Sequence, residues 1–187
     1  MYKDISPKNV IFAGLATSVE YFDFALFAYV TVFISAAFFP DSNSTVATIK
    51  TFGMFAAGYL MRPIGGIFFG NLGDKVGRKK VLIITVALMA ISTAIIAFTP
   101  SYQQIGIVSV LLIIFARMIQ GFSIGSEYNG VLAILSEQTP DNKRGLITAF
   151  GTFFSGFGVF LGTVVVFLFS SFLSESQMHL YGWRYAL

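Results

Sequence analysis

The sequence predicts an all-α polytopic membrane protein of about five spanning helices, with the start of a sixth. Three observations carry that reading. The chain is 56% hydrophobic and only 11% charged, with a mean hydropathy of +0.78, and a soluble domain of 187 residues could not hide that much apolar surface. The apolar residues gather into runs longer than the roughly 20 residues a bilayer core requires of a helix. Lysines and arginines collect in alternate connections between those runs.

The first run covers about 10–38, behind Lys3 and Lys8. It far exceeds the roughly 7–15 residues of a signal-peptide core, so it is expected to remain as the first helix. Phe39-Pro-Asp-Ser-Asn-Ser44 supplies turn chemistry before a second run at about 49–72. Gly70-Asn-Leu-Gly-Asp-Lys-Val-Gly-Arg-Lys-Lys80 then forms a basic, glycine-spaced connection to a third run at about 81–99. Pro100-Ser-Tyr-Gln-Gln104 separates it from a fourth at about 105–135, and Glu137 to Gly145, around Pro140, from a fifth at about 146–170. A sixth helix is expected to start near Trp183. The 22 phenylalanines suit helix-packing and lipid-facing surfaces.

Charge placement predicts orientation. Lys3, Lys8, Lys75, Arg78, Lys79, Lys80, Lys143 and Arg144 fall on one side, against Lys50 and Arg184 at helix starts on the other. Short cytoplasmic connections carry the excess of basic residues, so the N-terminus is expected in the cytoplasm. The net charge of +3 and pI near 9.2 therefore describe a membrane orientation and not a nucleic-acid surface. Cysteine is absent, which removes disulfides and thiolate metal sites. His179 reads as an interface residue. Glycines spaced by four, at Gly66 and Gly70, Gly121 and Gly125, and Gly158 and Gly162, form small faces that allow neighbouring backbones to approach closely. They serve tight packing or mobility at a gate, and spacing does not separate the two.

Ionisable residues inside the apolar runs are the chemical signal. Glu20 and Asp23 lie in the first, Arg62 in the second, and Arg117 and Glu127 in the fourth. Each costs about 2.5–3.5 kcal/mol at the bilayer centre on insertion scales, so they should face one another or a water-filled cavity. Glu20 and Asp23 share a helix face. Arg117, Gln120 and Glu127 fall within a sector of about 80°, extended by Tyr128. At 1.5 Å per residue, Glu20 sits about 15 Å and Arg117 about 18 Å from the ends of their helices, so an acid pair faces an arginine at mid-membrane. One reading is an inert buried pair that sets helix register. The other is a proton-coupled site in which a carboxylate, once protonated, releases its arginine. Asp23 is the first choice for that acid, with Glu20 the alternative. Arg62, followed by Pro63, serves structural pairing or function; Glu127 lines the cavity or joins the cytoplasmic charges. Those charges, Asp74, Arg78, Glu137 and Arg144, read either as a solvated positive-inside loop or as a conformational latch. The latch reading has Asp74, between Gly73 and Gly77, held against a neighbouring helix N-terminus.

With these residues in place, the chain resembles the N-terminal half of a major facilitator superfamily transporter, in incomplete form. Gly70 to Lys80 matches the superfamily's first signature, with Lys75 where arginine is usual. Arg117-Met-Ile-Gln-Gly121 resembles the fourth-helix signature, and Glu137 with Arg144-Gly145 resembles the charged end of that helix in sugar porters. Glu20-Tyr-Phe-Asp-Phe24, Phe38-Phe-Pro40, Arg62-Pro-Ile-Gly65, Gln120 to Tyr128 and Gly182-Trp-Arg184 are similar to the metabolite:proton symporter family, whose members carry proline/betaine, citrate, 2-oxoglutarate or shikimate. That family usually has two glycines before the glutamate, where this chain has Gly125-Ser126. Gly156 to Gly162 lacks the proline of the drug:proton antiporter fifth helix.

The resemblance implies proton-driven symport of a small organic acid or a zwitterion in the bacterial inner membrane, with alternating access between two six-helix halves. The proton gradient is the energy source, and no cofactor is implied. In that picture the first and fourth helices line the substrate path, and the cytoplasmic cluster stabilises one closed state. Because the substrate site of such folds lies between two halves, the partner expected is the missing C-terminal half, and this portion alone is not expected to transport. The competing reading is a non-transporting membrane subunit or truncated remnant. An intramembrane enzyme finds no support, since no His-rich metal set, Ser/His pairing or Gly-Lys-Ser/Thr loop is present.

Overall fold

A computed structural model describes residues 7–40, 43–125, 131 and 139–187. The described residues are almost wholly helical and include no strand. Among the described residues, five helices are long and apolar enough to cross a membrane: α1 (Pro7–Phe38), α2 (Ser44–Val76), α3 (Arg78–Phe98), α5 (Ile107–Ile124) and α6 (Arg144–Phe172). A short α4 (Tyr102–Ile105) precedes α5, and α7 (Glu175–Gln177), a π-helical turn (Met178–Gly182) and α8 (Trp183–Ala186) end the chain.

Local chemistry sets several of these boundaries. The Asn43 side chain accepts from the Thr45 amide at 2.9 Å and caps α2. At 33 residues, α2 exceeds the roughly 20 needed to span a bilayer core, so it projects beyond it. The stretch expected as a loop from Gly70 to Lys80 is therefore mostly helix. Only Gly77 leaves the helical conformation, at φ 97°, and that single residue reverses the chain into α3. Gly106, at φ 58°, makes the comparable break between α4 and α5. The chain re-enters helix at Glu175, ahead of Trp183, because Ser174 and Gln177 cap each other: the Ser174 amide donates to Gln177 Oε1 at 2.9 Å, and the Gln177 amide to Ser174 Oγ at 3.3 Å.

α1 packs chiefly along α6, while α5 packs along α2 and α3. Small residues make both approaches close. A methyl added at Gly121 would overlap the Gly58 carbonyl, one at Gly65 the Phe122 carbonyl, and one at Gly125 the Arg62 carbonyl. Gly158 lies against the Ser18 carbonyl, beside the bond from Ser18 Oγ to the Phe154 carbonyl at 2.8 Å. Gly66 meets Gly125, but Gly70 faces open space, so the expected Gly66–Gly70 stripe is half used. Its place is taken by Gly58 and Gly65.

The apolar core occupies the end of the bundle that contains Phe38 and Trp183, with Phe27, Val30, Ile34, Ile96 and Ile113 also buried. His179 stacks edge-on against Phe33 at 4.9 Å. Arg184 donates to the Ala97 and Thr99 carbonyls at 2.7 and 2.6 Å, a cation on the carboxyl end of α3. Large apolar side chains also cover the outer surface; Phe98, Phe172, Ile67 and Leu60 are among the most exposed. In water that surface would be a severe liability, and against lipid it is the expected one.

Candidate functional site

At the centre of the bundle three helices converge on one carboxylate. α1 brings Asp23, α3 brings Thr93, and α5 brings Arg117 and Gln120, which are three residues apart and so lie on one face. Thr93 Oγ1 donates to Asp23 Oδ1 at 2.9 Å, and Arg117 Nη1 donates to Asp23 Oδ2 at 3.3 Å. Gln120 Nε2 donates to both carboxylate oxygens, at 3.3 and 3.2 Å, and to Thr93 Oγ1 at 2.7 Å. Asp23 and Arg117 are 6% and 4% exposed. Burial at that level requires pairing and hydrogen bonding, which the cluster provides. The guanidinium of Arg117 also lies 3.4 Å from the Phe27 ring centroid, a cation–π contact in a dry setting. Its Nε and Nη2, and Gln120 Oε1, are buried without a hydrogen-bond partner among the described residues.

The acid pair does not meet the arginine as a pair. Of the two, Arg117 takes Asp23. Glu20 is 3% exposed, its Oε2 has no hydrogen-bond partner among the described residues, and the charge that acts on it is Arg62. Arg62 lies over the rings of Tyr59 at 4.2 Å and Phe24 at 5.3 Å. Pro63, inside α2, lacks the amide that would bond the Tyr59 carbonyl, which loosens the helix at this level.

Asp23, Arg62, Arg117 and Gln120 line one cleft with Phe24, Phe55, Gly58 and Tyr59. Its free volume is about 20 Å³, room for one water and not for an organic solute. Thr93 is the residue that sequence reasoning missed. A hydroxyl in an apolar helix usually bonds back to its own backbone, as Ser92 does to the Leu88 carbonyl at 2.7 Å, so Ser92-Thr93 carries no signal until α3 is docked.

A family model described as "Sugar (and other) transporter" matches residues 9–187. The chain belongs to that family. It is 41% identical over 177 residues to the glycine betaine/proline/ectoine/pipecolic acid transporter OusA of Dickeya dadantii (strain 3937), and 40% identical over 177 residues to the proline/betaine transporter of Escherichia coli (strain K12). Each match covers 95% of this chain and 35% of the relative, so the chain spans little more than a third of the length of these curated relatives. Among solved structures it resembles the inward-open xylose transporter XylE from E. coli. The TM-score is 0.80 at 22% identity, over 95% of this chain and 43% of that one. That likeness establishes the fold, and the family match together with the spanning helices makes this a multi-pass membrane protein of a family of transporters rather than enzymes.

The family's basic signature lies at the bundle end marked by Gly77, and its geometry differs from the expected latch. Asp74 sits in the last turn of α2 and does not cap a helix; the residue preceding α3 is Gly77, with no side-chain cap. Asp74 faces Arg78 at 3.9 Å, with 74% of its side chain exposed, a separation and exposure at which a pair contributes little. Gly73 is buried against Arg78 and Val81, and Gly77 makes the turn. Arg144 opens α6 from an exposed position. Glu127, Tyr128 and Glu137 lie outside the described residues.

Proposed function

We propose that this chain is the N-terminal part of a proton-coupled symporter that moves a small zwitterion of the proline/betaine kind across the bacterial inner membrane by alternating access. The observation that carries the proposal is the buried Asp23–Arg117 pair, held by Thr93 and Gln120 on the wall of a mid-bundle cleft. A buried pair with this many donors is a two-state element. With Asp23 ionised, Arg117 is committed to it. Protonation of Asp23 removes the charge that holds Arg117, and the freed guanidinium, with two nitrogens that have no hydrogen-bond partner among the described residues, becomes available to a solute carboxylate. Proton and solute then arrive together, which is symport. Glu20, buried one helical turn from Asp23, is the alternative proton carrier.

The relatives named for betaine and proline support the solute class. The basic residues around Gly77 and at Lys143 and Arg144 support a cytoplasmic N-terminus. In this reading Asp74 and Arg78 belong to a cytoplasmic latch whose partner surface is the second half of the fold. That half would also supply the opposite wall of the cleft.

The test is uptake of radiolabelled proline, betaine, citrate and 2-oxoglutarate by cells expressing the complete gene, with and without a protonophore. Betaine or proline uptake that collapses with the proton gradient is expected. Asp23→Asn should abolish accumulation while leaving exchange of bound solute. Unchanged accumulation in Asp23→Asn would move the proton to Glu20 or Glu127.

A further inference from the structure

Phe24, Phe55 and Tyr59 form a group of three mutually touching rings on the wall of the cleft. Their centroids lie 4.9 Å (Phe24–Phe55), 5.8 Å (Phe24–Tyr59) and 5.7 Å (Phe55–Tyr59) apart. Phe55 is backed by Phe27, stacked at 5.7 Å and 8°, so its plane is set from behind. Aromatic faces carry partial negative charge and draw cations, and this group already holds one, the guanidinium of Arg62. Asp23 lines the same cleft. Tyr59 is 47% exposed, so the group is open on one side.

The arginines of the cleft do not separate an organic acid from a zwitterion, because both carry a carboxylate. The rings respond to the other end of the molecule, the cationic nitrogen, which only the zwitterion has. We propose that Phe24, Phe55 and Tyr59 are an ammonium site in which the solute's cationic nitrogen takes the place of the Arg62 guanidinium, and that the displaced Arg62 turns to the solute carboxylate. The inference rests on the transport reading above and specifies how it selects its solute. Displacement of Arg62 also makes the room that the small cleft lacks. A quaternary ammonium has no N–H, so it cannot donate to Asp23, and aromatic faces are the groups suited to hold it. A secondary ammonium can donate to Asp23 as well and depends less on the rings.

The test uses the protein of the complete gene, purified and reconstituted into liposomes with an imposed proton gradient. Uptake of betaine and of proline is measured for the wild type and for Phe55→Leu, Tyr59→Leu and Tyr59→Phe. Both leucine variants should raise the betaine KM about tenfold, with a smaller rise for proline. Tyr59→Phe, which keeps the ring, should regain most of the affinity lost in Tyr59→Leu. A second arm needs no variant: 3,3-dimethylbutanoate places carbon where betaine has nitrogen, and should compete with betaine uptake about tenfold less well than unlabelled betaine. Equal competition by that isostere would overturn the ammonium site and leave the transport reading standing. So would an unchanged betaine KM in leucine variants that still carry proline. A wild type that carries neither zwitterion would remove both readings together.

Discussion

Asp23–Arg117 and Asp74–Arg78 are both carboxylate–guanidinium pairs, and the two differ in nearly every property that gives such a pair its energy. The first is 3.3 Å long, with side chains 7% and 5% exposed and two further donors on the carboxylate. The second is 3.9 Å long, with side chains 74% and 36% exposed, between residues four apart in sequence. In the first, both partners are buried and each is needed to satisfy the other. In the second, solvent reaches the carboxylate and screens the pair. Sequence motifs give the pairs equal standing, whereas their surroundings assign one to the centre of the bundle and the other to its periphery.

The largest effect should come from breaking the central pair on one side only. Asp23→Leu strands Arg117 and should destabilise the solubilised protein by about 3–5 kcal/mol, while Asp23→Leu with Arg117→Leu should recover most of that loss. Thermal unfolding followed by size-exclusion retention checks it; equal losses in the single and double variants would show that the pair's charges are not coupled. A smaller effect is expected from Thr93→Val, which keeps the shape and removes the hydroxyl shared by Asp23 and Gln120. Its loss should be about 1 kcal/mol, read in the same unfolding midpoint. The smallest belongs to Asp74→Asn, at less than about 1 kcal/mol and further reduced by salt. Because folding is nearly untouched there, a slowed turnover in Asp74→Asn with unchanged solute affinity would isolate a latch role; a change in affinity alone would end it.

Much of this molecule was legible before folding. Apolar run length, basic connections and the polar residues within the runs are local properties, and they identified a membrane helical bundle and the residues too polar for lipid, while motifs such as Gly70 to Lys80 carried the family resemblance. The glycine spacing marked α5 and α6 correctly as close-packing helices, yet it chose Gly70 where the bundle uses Gly58 and Gly65. Glu20 and Asp23 were placed on one face with Asp23 preferred and Glu20 left as the alternative, and of the two Arg117 takes Asp23. Thr93, Phe55 and Tyr59 carried no signal at all, and Phe24 only as part of a family motif.

These failures share a physical cause. In a soluble protein the hydrophobic pattern tells which face of a helix is buried, because water and core differ. In a bilayer both lipid and core are apolar, so Phe98 and Phe172 on the outside read like Phe27 and Phe38 on the inside. The sequence alone determined that helices would cross and which residues could not face lipid. Only the tertiary structure decided how each helix is rotated about its axis and which neighbour it meets. That rotation selects which of Glu20 and Asp23 meets Arg117 and assembles three separate aromatic residues into a single surface beside it.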